Sequence, residues 1–329
     1  MTMATKPISL GLIGAGIVAA GPYRKALERL TTVKPQGVFD PDIEKASSLA
    51  KTLETKVYPD LNSLLEDPSI DAVAVLSPNH LHIEIALRSL EAGKHVIIEK
   101  PIAESVEEID RLQTEATRAG KICMPAHNYI YNPSLIRAKR LISEGHLGAI
   151  ASGWILYNIF HSEEIARRYG GVLREVCVHH AYSLLFLLGR PAKVSAQVSR
   201  VHYQELICED QAILTCTMPS GALVNLWASF AASDPTSDPW TVVYKILGTN
   251  GGIAYTWDDA RYNDTRGPAW GIPNYLDGFY HELEYFANQA IANAEAPLST
   301  LDDARDAIRI IEAAERSIAT GGASVEVRY

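Results

Sequence analysis

The sequence predicts an α/β protein: a doubly wound parallel sheet first, then an α/β domain built on a large, mostly antiparallel open sheet. Three observations predict this. Short apolar runs alternate with helical patterns over residues 8–126, as strands and crossover helices do. A glycine turn, Gly14-Ala15-Gly16, follows the first apolar run. Beyond about residue 147 the apolar period changes from helical to two, which marks half-buried strands.

In the first region the expected strands are Ile8–Ile13, Lys34–Phe39, Val57-Tyr58, Ala72–Leu76, His95–Ile98 and Ile122–Ala126. Helices are expected near 17–30, 42–53, 61–66, 80–92 and 105–119. Ser105 with Glu108 forms a capping box for the last of these. Right-handed crossovers then place a ligand crevice at the strands' carboxyl ends.

In the second region Ala192–Val201 and Ala222–Phe230 alternate apolar and polar residues. An open sheet face of this kind is a candidate dimerisation surface. One closing helix begins near Asp277. Another spans 301–318, with Ala304, Ile308, Ile311, Ala314 and Ile318 on one face and Gly321 as its stop. The expected domains are 1–126 and 127–329, with helix 301–318 able to pack back on the first.

The bulk properties exclude several classes. A chain of 329 residues can bury a sizeable core, and 47% hydrophobic with 21% charged residues is ordinary globular composition. A net charge of −9 argues against nucleic acid or an anionic membrane as partner. The longest apolar stretches are too short to span a bilayer, and the N-terminus lacks the pattern of a secretory leader. Cys123, Cys177, Cys208 and Cys216 show no metal-ligand spacing, so no metal is expected. They read as reduced thiols of a cytoplasmic protein.

Gly14-x-Gly16-x-x-Ala19, set between strand and helix, is the pattern of a dinucleotide cradle. Gly14 permits the tight turn, Gly16 lets backbone approach a pyrophosphate, and Ala19 lets the helix pack on the sheet. Ile17 and Val18 open the helix whose exposed amides supply the anion site. Asp40 ends the second strand, where a carboxylate can bond the adenosine ribose; with Pro41 behind it, it is equally an N-cap. A carboxylate there repels a 2′-phosphate, so NAD is favoured, with NADP the alternative. Ser77, Pro78 and Asn79 follow the fourth strand, beside the expected ribose and nicotinamide. His80 and His82 read as helix-surface residues more readily than as metal ligands.

Glu99-Lys100-Pro101 sharpens the reading. Together with Gly14-Ala15-Gly16, Ser77-Pro78-Asn79-His80-Leu81-His82, Ala92-Gly93-Lys94-His95-Val96 and His127-Asn128-Tyr129, it resembles the glucose–fructose oxidoreductase / inositol dehydrogenase / MocA family. The resemblance continues through Pro133 and Glu144–Gly148 into the segment Gly170–Gly189. It implies a Rossmann domain and a second α/β domain whose open sheet forms homodimers or homotetramers. It also implies hydride transfer between nicotinamide and a sugar, cyclitol or related polyol.

By that resemblance Lys100 touches substrate and nicotinamide ribose, Lys100-Pro101 is a cis peptide, and His82, Glu99 and Asn128 join the cofactor set. The family's second signature, Gly-Gly-x-x-x-Asp-x-Gly-x-His-x-x-Asp, meets Gly170-Gly171-Val172-Leu173-Arg174-Glu175-Val176-Cys177-Val178-His179-His180-Ala181-Tyr182 here. His179 falls at the catalytic acid/base position. Glu175, four residues earlier, would share a helical face with it and orient a substrate hydroxyl or the imidazole. Tyr182 stands where the family has a second acid, and Cys177 where it has glycine. Asn158, His161, Trp240, Tyr280 and His281 fall in regions that line the family's pocket. Two other readings stay open: a non-catalytic dinucleotide-responsive binder, and an enzyme using bound nicotinamide for transient oxidation during elimination or hydrolysis.

Overall fold

The computed structural model describes residues 6–167, 170–232, 241–256 and 273–329; Trp240 lies outside them. Contacts divide the chain into two compact units. One comprises Met1–Asn132 and Tyr275–Ala304; the other comprises Pro133–Asn274 and Arg305–Tyr329.

The first unit holds a six-stranded parallel sheet of β1 (Ile8–Ile13), β2 (Val33–Phe39), β3 (Lys56–Val57), β4 (Ala72–Val75), β5 (His95–Glu99) and β6 (Cys123–Ala126). Their order is β3-β2-β1-β4-β5-β6. The chain therefore starts at the centre, winds outward through β2 and β3, then returns to wind outward through β4, β5 and β6. Parallel strands covered on both faces should be apolar throughout. Four of these bear that out: all of Ala72–Val75 and of Cys123–Ala126 are buried, as are five of the six residues of β1 and four of the five of β5.

Local chemistry fixes the helix ends. Ser105 accepts a bond from the Glu108 amide at 3.3 Å, and Gly120 closes the helix Val106–Ala119 at φ +61°. The helix after the glycine turn contains Pro22. A proline lacks the amide an α-helix needs, and the backbone widens into a π-turn over Ala19–Tyr23 before α-geometry resumes at Arg24–Arg29.

Asp42, not Asp40, caps the helix Ile43–Thr52: its carboxylate accepts the amides of Glu44 and Lys45. The N-cap expectation for Asp40 is thereby corrected. Asp42 stands one residue before the helix, where its side chain can reach the first free amides.

The second unit carries β7 (Ile150–Asn158), β8 (Lys193–Ser199), β9 (Gln211–Thr217), β10 (Leu223–Ser229), β11 (Thr241–Gly248), β12 (Gly252–Thr256) and β13 (Val325–Glu326). They form one sheet in the order β12-β11-β7-β10-β9-β8-β13. All neighbours are antiparallel except β7 and β10. One face is core, with Ile155, Leu214, Val224, Leu226 and Ile246 buried. The other exposes Trp154, Ile213, Leu223 and Trp227, with Trp227 paired to Ile213 on one side and Leu156 on the other. The sequence singles out two of these strands; the structure adds five.

Candidate active site

The cofactor cradle begins where β1 ends. Gly14 has φ +107°, and a Cβ there would sit 2.6 Å from the Leu76 carbonyl oxygen. Only glycine fits that backbone. A Cβ at Gly16 would meet no atom within 4 Å, so the turn is open there. Open space at a helix N-terminus is what a pyrophosphate requires. Ile17 is half-exposed there, at 50%, and Val18 follows in the first helical turn.

Asp40 fastens this turn. Its Oδ2 accepts the Ala15 amide at 2.7 Å, and its Oδ1 accepts the Asp42 amide at 2.8 Å. The Gly14 amide meanwhile donates to the Phe39 carbonyl at 2.8 Å. A carboxylate has lone pairs beyond these two bonds, so holding the turn leaves acceptor capacity at the end of β2.

The loops after β4 and β5 form the next part of the site. Ser77 and Pro78 lead into a short 3₁₀ turn at Asn79–Leu81. The Lys100-Pro101 peptide is cis, as the resemblance implied. Glu99 is buried, and its Oε2 accepts the Lys100 amide at 2.9 Å. His82 is fully buried, which corrects its reading as a helix-surface residue. Its Nε2 lies 2.8 Å from the Ser77 carbonyl oxygen and its Nδ1 2.9 Å from that of Pro101. Polar side chains at a helix start look solvated in sequence; here the loop of another strand folds over the ring.

Two further residues fix the floor of this unit. His127 is buried against Ser299 Oγ at 2.6 Å, and burial pulls its pKa down to about 3. Asn128 is buried too, and its carbonyl would lie 3.0 Å from a Cβ on Gly278. Glycine there lets the helix Pro273–Tyr285 approach closely. On that helix Tyr280 and His281 are part-buried and both turn toward Glu284, each at 3.4 Å. The Arg29 guanidinium covers the Tyr280 ring at 4.5 Å.

The sequence reading missed Glu282. It is fully buried, and among the described residues neither of its carboxyl oxygens makes a hydrogen bond of good geometry. Burial first, then the charge of Glu99, holds its proton well above the usual carboxylate range. The fully buried Tyr23 is the phenol that faces both acids. The signal was its position: Phe279, Leu283 and Phe286 share its apolar face at helical spacing.

In the second unit the signature segment runs through two short helices. Gly171 stands at φ +102°, with Glu209 filling the space a Cβ would take. Val172–Glu175 forms one helix and Cys177–Leu188 the next, with Val176 (φ −113°) between them. Glu175 and His179 therefore sit on successive helices rather than on one continuous face. Both are buried, at 5% and 8% exposure. His179 Nδ1 lies 2.5 Å from the Tyr182 hydroxyl, one turn further on. His161 is packed edge-on against Phe230 and lowered by burial to about 4. Asn158, at the end of β7, is part-buried.

Cys123, Cys177 and Cys216 are buried free thiols, and burial raises all three, Cys123 and Cys216 to about 12. They are poor nucleophiles. Among the described residues no cluster of His, Cys, Asp and Glu could hold a metal ion. Among them, too, no helix is long and apolar enough to cross a membrane.

The sequence and the fold of this chain match those of known proteins. Residues 8–127 match the oxidoreductase family with an NAD-binding Rossmann fold, and residues 135–254 match the GFO/IDH/MocA C-terminal domain. The 1,5-anhydro-D-fructose reductase of Ensifer adhaerens is 30% identical over 74% of each chain. The scyllo-inositol 2-dehydrogenase (NAD(+)) of Bacillus subtilis strain 168 is 25% identical over 86% of each. Levoglucosan dehydrogenase, solved with NADH and levoglucosan, superposes with a TM-score of 0.82 at 23% identity, covering 98% of this chain and all of that one. With a glycine cradle, a doubly wound sheet and both family domains in sequence, the chain belongs to the GFO/IDH/MocA family of NAD-binding oxidoreductases.

Proposed function

We propose that this enzyme is an NAD(P)-dependent dehydrogenase or reductase acting on a CH–OH group of a sugar, cyclitol or related polyol. The observation that carries the reading is the loop after β5. There the Lys100 amide is held by the buried Glu99 carboxylate. A lysine fixed beside a reacting oxygen stabilises alkoxide charge and orients the carbinol. The substrate class follows relatives that act on an anhydro sugar and on an inositol.

When bound, the dinucleotide accepts or donates hydride at nicotinamide C4. Gly14, Gly16, Ile17 and Val18 would hold its pyrophosphate and Asp40 its adenosine ribose. Ser77, Pro78, Asn79, His82, Glu99, Lys100 and Asn128 would surround the rest. Asp40 disfavours a 2′-phosphate, which makes NAD the preferred form. Lys100 and Glu175 orient the substrate hydroxyl, and His179 removes its proton. Asn158, Tyr182, Tyr280 and His281 complete the substrate set.

The two compact units serve as the cofactor and substrate domains. The exposed sheet face with Trp154, Ile213, Leu223 and Trp227 is of the kind that homo-oligomers cover, giving a homodimer or homotetramer. Unpaired cysteines, three of the four buried, suit the cytoplasm. A panel of sugars, inositols and glycosides with NAD and NADP, followed by nicotinamide absorbance, tests the reading. Turnover of a polyol with NAD is expected; no absorbance change with any member, in either direction, would overturn it.

A further inference from the structure

The geometry around His82 points to a role for that residue beyond lining the cofactor. Both ring nitrogens face backbone carbonyl oxygens, Ser77 at 2.8 Å and Pro101 at 2.9 Å. A carbonyl oxygen only accepts hydrogen bonds, so each contact needs an N–H on the ring. A neutral imidazole has one N–H and one lone pair. In that state one contact would set lone pair against lone pair in a fully buried place, where no water can relieve it.

We propose that His82 is a buried imidazolium that ties the loop after β4 to the loop after β5 and so acts as a positioning residue for Lys100. Two charge-assisted hydrogen bonds offset the cost of burying the cation. Lys100 is then held from both sides. Its own amide donates to the Glu99 carboxylate at 2.9 Å, and the carbonyl of the next residue, Pro101, accepts from His82. Glu99 fixes the entry to the Lys100-Pro101 peptide and His82 fixes its exit. The Ser77 carbonyl locks the same ring to the neighbouring strand's loop. The two loops that flank the proposed nicotinamide site therefore move as one piece.

The protonation state stands on the ring geometry alone; its effect on Lys100 rests on the proposed function. The test is nitrogen-15 NMR of histidine-labelled full-length enzyme without dinucleotide, the His82 signals being assigned by through-bond correlations. Both ring nitrogens are expected to be protonated at neutral pH. A signal from one unprotonated ring nitrogen overturns the proposal. In His82→Gln, whose single amide group can reach only one of the two carbonyls, dinucleotide affinity measured by calorimetry is expected to fall about tenfold. Unchanged affinity and unchanged kcat in that variant overturn the positioning role. If that variant fails to fold, the NMR result on the wild-type enzyme still decides the protonation state. Absence of dinucleotide binding by the wild-type enzyme counts instead against the proposed function, which the NMR does not require.

Discussion

The Tyr182 hydroxyl lies 2.5 Å from His179 Nδ1, three residues further along the same buried helix. A hydroxyl can donate to or accept from an imidazole, whereas a carboxylate at that position only accepts. Tyr182 orients the ring without adding a negative charge that would favour the imidazolium. Tyr182→Phe keeps the volume and removes this bond, so kcat is expected to drop about tenfold, the worth of one buried hydrogen bond. Steady-state kinetics check this, with the KM for dinucleotide as the control expected to stay constant.

Asp40 serves the glycine turn through the Ala15 amide at 2.7 Å. Asp40→Ala leaves that amide without its acceptor, at a cost of about 1–3 kcal/mol. Dinucleotide affinity should weaken at least tenfold, and the preference for NAD over NADP should shrink. Calorimetric titration of both cofactors against the variant measures the two effects together.

Gly14 admits no side chain. Gly14→Ala places a Cβ 2.6 Å from the Leu76 carbonyl at φ +107°. The left-handed backbone alone costs about 1–2 kcal/mol, and the clash moves β1 against β4. Chemical denaturation should show a loss of more than about 2 kcal/mol, with dinucleotide binding abolished.

Glu282 gives the fold a pH dependence. Burial and the neighbouring Glu99 raise its folded-state pKa above the unfolded value. The stability it permits is complete below the unfolded pKa and is lost as pH rises through the folded one. Glu282→Gln is permanently neutral and escapes that loss. Thermal melts across a pH series should show the variant gaining on the wild-type enzyme as pH increases, with the two converging in acid.

The parts of the site that sequence exposes are those made by neighbours along the chain. The glycine turn and the Ser105 cap each depend on a few adjacent residues, and the parallel sheet follows from its apolar runs. What sequence conceals depends on distant segments meeting. His82 looks solvated until Pro101 closes over it, and Glu282 looks like an ordinary helix acid until its apolar face is seen to carry it inward. The break at Val176 leaves no trace in residue type, so Glu175 and His179 read as one face. Asp40 and Asp42 compete for one cap, and two residues of register decide which carboxylate the helix takes.

The assignment of hydride transfer to this chain is tested most directly by nicotinamide absorbance during turnover in Lys100→Ala and His179→Ala, beside calorimetric binding of the dinucleotide to each. Both variants are expected to lose turnover by several orders of magnitude while dinucleotide binding survives. Turnover retained in both would contradict that assignment.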